Sequence, residues 1–286
     1  MTELFGEVIG NGRVNDLLSR DVAHPGQAYL FVGPGGVGKA TVARLFAAAL
    51  LCPSAGDHET PCSTCRRVSI GSHPDLTEIE PAGTTMLTVD QARATVAQSR
   101  LSPVEGDRKV FLLAEAGAMS EGAANALLKT LEEPTASTVF LLAVEAEEEL
   151  PATIASRCRT VQLGRVDQVE LVAGLIERGI EPAQAEQVAM IAAGRPGLAL
   201  TLATRPEAAA YRQTWMGVPG RAPPVPGHAF LRAEEVLDAL DPMLGAPEQR
   251  HADERAEADD HGGAGKALKD RQARERKRAE QSLLIS

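Results

Sequence analysis

A glycine-rich segment, GPGGVGKA over residues 33–40, has the spacing of a phosphate-binding loop. In the pattern G-x-x-x-x-G-K followed by Ser or Thr, backbone N–H groups cradle phosphate oxygens and the lysine reaches the terminal phosphates. The segment matches this pattern except at Ala40, which replaces the hydroxyl residue that ligates magnesium. It therefore predicts a degenerate nucleotide loop and leaves ATP binding open. The candidate loop residues are Gly33, Gly35, Gly36, Gly38, Lys39 and Thr41.

A second magnesium ligand is missing further along the chain. In phosphate-loop enzymes an apolar strand leads into an aspartate that holds the metal, and a water-orienting residue completes the site. Here the apolar run VFLL is followed by Ala114 and then by Glu115, which stays a candidate nucleotide-site residue. Thr41 does not simply replace the hydroxyl missing at Ala40, because one helical position is a rotation of about 100°. Since alanine stands at both magnesium positions, we predict no ATP hydrolysis by this chain.

Three cysteines lie close together in the next segment. Cys62 and Cys65 have the C-x-x-C spacing of a zinc knuckle, and Cys52 lies upstream of them. Three thiolates need a fourth ligand to close a tetrahedral site, and His58 is the best candidate, ahead of the neighbouring carboxylates. The alternative is a set of free thiols in a loop. A catalytic zinc of the deaminase type is disfavoured, because HET stands too close to PCSTC for that signature.

The tripeptide SRC, residues 156–158, follows the segment LPATIA. Taken alone it is a weak signal, since an arginine in such a tripeptide is usually an ordinary surface residue. By default Cys158 is a small buried residue.

The elements around these motifs alternate between strands and helices. Apolar runs at residues 28–33, 109–116 and 137–145 predict buried strands, and the loop lies between the first strand and a helix-periodic segment. Residues 120–134 predict a helix, with Ser120 as its cap and a proline closing it. This alternation indicates an α/β domain with a parallel sheet covered on both faces.

The pattern becomes wholly helical between residues 166 and 205, where Gly179 and Gly194 mark predicted helix stops. We expect a small three-helix lid there. Residues 206–286 begin with a Pro/Gly-rich linker and end in a charged segment that fits a helix or a solvated chain equally well. The predicted domains are therefore an α/β domain over 1–165 with a cysteine loop at 52–65, a lid over 166–205, and a linker with an incomplete helical region over 206–286.

The composition of the chain excludes several classes of function. A formal net charge of −10 over 286 residues argues against a chain that binds nucleic acid non-specifically on its own. No apolar run approaches the ~18 residues that a membrane span needs, and MTELFGEVIG lacks the form of a signal peptide. We therefore expect a cytoplasmic protein with no membrane contact, whose cysteines are thiols or metal ligands.

Taken in order, the phosphate loop, the cysteine loop, GSHPDLTEIEP, NALLKTLEEP and LPATIASRC resemble the bacterial clamp-loader subunits of DNA polymerase III, over residues 1 to about 204. The resemblance implies a phosphate-loop AAA+ fold and a ring-shaped assembly that loads the sliding clamp on primed DNA. Such a chain is a component of the DNA polymerase holoenzyme, a nucleotidyltransferase. Its implied partners are the delta and tau/gamma subunits and, through the assembly, the clamp and DNA.

Within that family, the alanines at positions 40 and 114, with SRC retained, make the chain similar to the delta-prime subunit, a stator. The resemblance then implies that Arg157 reaches in trans into the ATP site of a neighbouring motor subunit. The alternative is an active tau/gamma-like motor. The family's zinc loop carries four cysteines, and the second falls near Glu59 here, with His58 as its substitute. The family also ends in a helical collar, and the matching region here is short.

Overall fold

The computed structural model describes residues 5–6, 8–81 and 86–217. Within them, five strands form one sheet in the order β2-β3-β4-β1-β5, and every pairing is parallel. The strands are β1 Ala28–Val32, β2 Leu76–Glu78, β3 Lys109–Leu113, β4 Thr138–Val144 and β5 Arg159–Gln162. The predicted α/β fold with a parallel sheet is confirmed.

Ten α-helices accompany these strands in the described part of the chain. They are α1 Gly12–Asp21, α2 Lys39–Leu51, α3 Ser63–Ser69, α4 Val89–Ser99, α5 Glu121–Glu132, α6 Ala152–Ala155, α7 Gln168–Glu177, α8 Pro182–Ala192, α9 Pro196–Thr204 and α10 Pro206–Gly217. None of them is long and apolar enough to cross a membrane. As predicted, Ser120 caps α5, its side chain accepting a hydrogen bond from the backbone N–H of Ala123.

Helices cover both faces of the sheet, so that successive residues of a strand enter different cores. Tyr29 and Phe31 of β1 point into the core that contains α2, where the Tyr29 ring meets Phe46 edge-on at 4.9 Å between centroids. Leu30 and Val32 point into the opposite core, which contains α5. Burial on both faces explains why the central strands are continuous apolar runs that sequence patterns detect.

The two edge strands are absent from the sequence-based prediction. β2 has only three residues, and in β5 only Val161 is buried among polar neighbours. An edge strand that covers little core needs few apolar residues, so neither segment carries a strong strand pattern.

Helices α7 to α9 form the lid and have a core of their own, in which Leu171, Leu175 and Ala189 are fully buried. The helices end near the predicted glycine stops, with Gly179 at φ 82° and Gly194 at φ 79°. Helix α10 packs on α9 and occupies the start of the region predicted to be a linker. The predicted linker and collar beyond it, residues 218–286, lie outside the described residues.

Candidate functional site

The glycine loop lies where a phosphate loop must lie, between the C-terminal end of β1 and the N-terminus of α2. Gly36 and Gly38 have φ values of 79° and 97°, in the left-handed region that favours glycine. Backbone N–H groups at the start of α2, together with the positive end of the helix dipole, form a site for anions. The backbone of this loop therefore fits a phosphate group.

Lys39 bends back onto its own loop. Its Nζ donates hydrogen bonds to the carbonyl oxygens of Gly33, at 2.6 Å, and Pro34, at 2.9 Å. Burial lowers the pKa of Lys39, while the carboxylates of Glu145 and Glu149 act in the opposite direction and raise it. The ammonium group thus lies in the mouth of the loop and near two acids that no motif predicted.

These acids line a pocket of about 340 Å³ beside the loop. The Oε1 atom of Glu145 lies 2.9 Å from the place that a Cβ on Gly35 would occupy, so this carboxylate reaches over the loop. Glu149 accepts hydrogen bonds from the backbone N–H groups of Glu145 and Ala146, at 3.3 and 3.2 Å. The pocket is lined by Lys39, Ala114, Glu115, Gly117, Ala118, Ala143, Val144, Glu145 and Glu149.

The side chains of this pocket are mostly acidic rather than basic. Glu115, Glu145 and Glu149 place three carboxylates around a single lysine, and like charges repel a polyanion. The methyl group of Ala114 lies in the same wall, where the pattern would put the metal-holding aspartate. The loop backbone has the shape of a phosphate site, whereas its surroundings do not have the charge of one.

Thr41 and Arg195 lie at two other faces of the loop region. Thr41 lines a separate cavity of about 390 Å³ between α2 and α3, away from the wall that holds Lys39. Arg195, at the start of α9, was not predicted: its Cδ lies 3.1 Å from the place of a Cβ on Gly36, so the lid touches the loop. Its Nε donates to the carbonyl oxygen of Ala192, at 2.9 Å. The segment GRP at a helix start is too weak a signal to have predicted that Arg195 contacts the phosphate loop.

The four predicted metal ligands come together. Their ligand atoms all lie within 4.8 Å of one another, with Cys52 Sγ 3.7 Å from Cys62 Sγ and 3.5 Å from His58 Nε2. His58 Nε2 lies 3.3 Å from Cys65 Sγ. In a tetrahedron with zinc–sulfur bonds of about 2.3 Å, neighbouring ligand atoms are about 3.5–3.8 Å apart. The donor set and its spacing therefore fit a structural Cys₃His zinc site.

Local structure fixes each ligand. Cys52 follows α2 directly, with its backbone N–H donating to the carbonyl oxygen of Ala48 at 2.9 Å. Cys62 and Cys65 stand at the start of α3, and both Cys52 and Cys65 are buried. His58 turns its Nε2 inward, while its buried Nδ1 has no hydrogen-bond partner among the described residues. This is a closed cluster at the junction of two helices, unlike free thiols on a loop.

Arg157 follows α6 and lies on the surface. Its Nη1 donates to the carbonyl oxygen of Thr153 at 2.7 Å, and its Nη2 lies 2.5 Å from Oε1 of Glu132. The side chain is 36% exposed, and it does not line the pocket of Lys39. Next to it, burial raises the pKa of the Cys158 thiol to about 12, which makes that cysteine a packing residue.

The segment GSHPDLTEIEP is structural. Asp75 is fully buried and accepts hydrogen bonds from the backbone N–H groups of Val104, Glu105 and Gly106 at 2.6, 2.8 and 3.2 Å. Burial by itself would raise the pKa of Asp75, but these three donors hold it below its usual range. His73 accepts from the Asp75 backbone at 3.1 Å. These bonds tie the start of β2 to the loop before β3.

Comparison with known proteins identifies the family to which the chain is similar. Residues 14–167 match the family described as DNA polymerase III, delta subunit. DNA polymerase III subunit delta' of Pseudomonas aeruginosa is 43% identical over 139 residues, which cover 48% of this chain and 42% of that protein. Subunit tau of Salmonella typhimurium is 39% identical over 170 residues, covering 58% of this chain and 26% of that protein. The chain thus spans between a quarter and a half of the length of these relatives.

Among solved structures, a mutant of RuvB from Thermotoga maritima superposes with a TM-score of 0.51 at 18% sequence identity. The superposition covers 76% of this chain and 67% of that one, and at this identity it shows the fold alone. The family match covers more than half of the 286 residues. The chain therefore belongs to the DNA polymerase III delta subunit family.

Proposed function

We propose that this chain is a delta-prime-like stator of the clamp loader, which does not hydrolyse ATP and supplies Arg157 to the ATP site of a neighbouring subunit. The observation that carries the proposal is the contrast between its two phosphate-related sites. Its own loop lies beside three carboxylates, with alanines at both magnesium positions, whereas Arg157 is exposed and lies apart from that pocket. Its partners would be the delta and tau/gamma subunits and, through the assembly, the sliding clamp and primed DNA.

The chemistry of arginine supports a role in trans. A guanidinium is planar and always charged, and it can contact two phosphate oxygens at once. Supplied from a neighbouring chain, it stabilises charge on the transferring phosphoryl group, an effect worth about 10³–10⁵ in rate. Arg157 lies two residues beyond the end of α6, a position beside a packed element from which a side chain can project outward.

The metal cluster has a supporting role in this proposal. We infer that Cys52, His58, Cys62 and Cys65 bind one zinc ion, which would link the end of α2 to α3. With four protein ligands the site has no open position for a substrate or water, so it stabilises structure and does not catalyse.

Substitution of Arg157 tests the stator directly. In complexes reconstituted with a motor subunit, Arg157→Ala should lower the clamp- and DNA-stimulated ATPase of the adjoining site at least about tenfold, since the transition state is deprived of one cation. Arg157→Lys should recover little, because a point charge does not reproduce the fork. The control is Arg93→Ala, which removes an arginine that is 73% exposed in α4. Full activity with both Arg157 variants would refute the role in trans.

An active tau/gamma-like motor is the second candidate, favoured by the 39% identity to a tau subunit and by the intact loop backbone. The two candidates differ in ATP turnover by the purified chain. A stator shows none above background with excess magnesium, and Ala40→Thr does not create it, because Ala114 still leaves the metal under-coordinated. Robust turnover by the unmodified chain would favour the motor.

A further inference from the structure

We propose that Glu132 is a positioning residue for Arg157: it holds the guanidinium in the free chain and competes with a nucleotide phosphate for it. This inference rests on the proposed function of Arg157 in trans. It adds to that function an anion, within this same chain, that sets how readily the arginine becomes available.

The contacts of Arg157 define the held state. Oε1 of Glu132 lies 2.5 Å from Nη2, and the carbonyl oxygen of Thr153 accepts from Nη1 at 2.7 Å. The hydroxyl of Ser156 is a weaker partner of Nη1 at 3.4 Å. Both terminal nitrogens of the guanidinium therefore have acceptors within the chain, and two-point binding to phosphate requires Nη2 to leave Glu132.

Packing of α5 against α6 fixes where Glu132 and Arg157 lie relative to each other. Glu132 is the last residue of α5, and Arg157 follows α6, which packs against α5. Leu131 and Ile154, next to the two ends, are buried in the same core. Because both backbones are anchored, the carboxylate stays within reach of the guanidinium.

Charge explains why the pair forms and why it can open. A carboxylate at the C-terminal end of a helix lies beside the negative end of the helix dipole, so a cation there is favourable. The side chains of Arg157 and Glu132 are 36% and 40% exposed, and ion pairs that exposed are weak and exchange readily. A polyphosphate presents more negative charge than one carboxylate, so it can displace Glu132.

Neutralising Glu132 should therefore strengthen binding of the partner's nucleotide. In the reconstituted complex, Glu132→Gln should lower the KM for ATP about two- to fivefold, the range expected for a half-exposed charge pair, with kcat changed less than about twofold. A residue that only stabilises the fold would not lower KM. The matched control is Glu133→Gln, which makes the same charge change one residue further on, where the described structure records no ion pair.

Variants that also carry Arg157→Ala separate the proposed function of Arg157 from the inference about Glu132. There, Glu132→Gln should have no effect on KM, because Glu132 acts through the arginine. If Arg157→Ala alone leaves the partner's ATPase unchanged, the proposed function fails. If Arg157→Ala lowers the ATPase but Glu132→Gln equals Glu133→Gln, or raises KM, this inference alone is overturned. Melting curves of the isolated variants within a few degrees of the unmodified chain exclude misfolding as the cause.

Discussion

Single side chains set the chemistry of the phosphate loop. The loop keeps its glycines and Lys39, yet Glu145 and Glu149 extend from the segment after β4 into the same pocket. Glu149 is held by two backbone N–H groups, whereas the carboxylate of Glu145 lies over Gly35. Glu145 is therefore the carboxylate whose charge bears most directly on a phosphate in this loop.

Removing that charge should increase nucleotide affinity. Glu145→Gln should tighten ATP binding to the isolated chain roughly fivefold or more, since it removes one negative charge beside a bound polyanion. Titration with a fluorescent ATP analogue, with and without magnesium, measures the change. Glu148→Gln is the control, because Glu148 is exposed on the same turn but does not line the pocket. Equal affinities for the two variants would contradict this assignment.

Among the elements, α2 and α3 pack against each other, and the cysteine loop between them adds a second connection through its side chains. Cys52 ends the first helix, and Cys62 and Cys65 begin the second. Between them His58 closes the donor set. Because α3 has only seven residues, and helices that short have little stability of their own, a metal that joins it to α2 would stabilise both.

Metal removal should therefore destabilise the chain. The purified protein, kept reduced, should contain about one zinc per molecule, and chelation or His58→Ala should lower its melting temperature by several degrees. In a chain of this size each ~1 kcal/mol of reduced stability corresponds to about 2–4 °C. His24→Ala, which removes an exposed histidine, should leave both metal content and melting temperature unchanged. A metal-free protein that melts at the same temperature with and without chelator would rule out the zinc site.

Across the whole molecule, the lid is anchored to the α/β domain by a few close contacts. Ile9, from the segment before α1, is buried in the core of the lid together with Val166. A Cβ on Gly174 of α7 would lie 2.7 Å from Cγ2 of Ile9, so the absence of a side chain there allows the two parts to meet. The lid also touches the phosphate loop, through Arg195.

Filling this contact should separate the two parts. Gly174→Leu raises the helix propensity of α7 but overpacks Ile9, and overpacking costs typically about 1–3 kcal/mol, so the melting temperature should fall by several degrees. Adding Ile9→Ala should restore part of the stability by making room. Gly197→Leu is the control in α9, where the nearest atom to a new Cβ is 3.9 Å away. If Gly174→Leu and Gly197→Leu have the same melting temperature, the contact between Gly174 and Ile9 does not hold the lid.

The parts of the fold that the sequence predicted are those with a strong local pattern. The strands β1, β3 and β4 are buried on both faces and are therefore continuous apolar runs, and Ser120 and the glycine stops mark helix ends by their own chemistry. The edge strands β2 and β5 were missed, because a strand that buries little needs no such pattern.

By itself the sequence determined the loop glycines, the alanines at positions 40 and 114 and the C-x-x-C spacing, since each is a short-range pattern of residue types. Only the tertiary structure decided that His58 completes the metal cluster, that Glu145 faces the phosphate loop, and that Glu132 pairs with Arg157. The physical reason is that the interaction of a charge or a ligand atom depends on its distance in space from its partner. Residues far apart along the chain come within a few ångströms of each other only when the sheet and its helices pack.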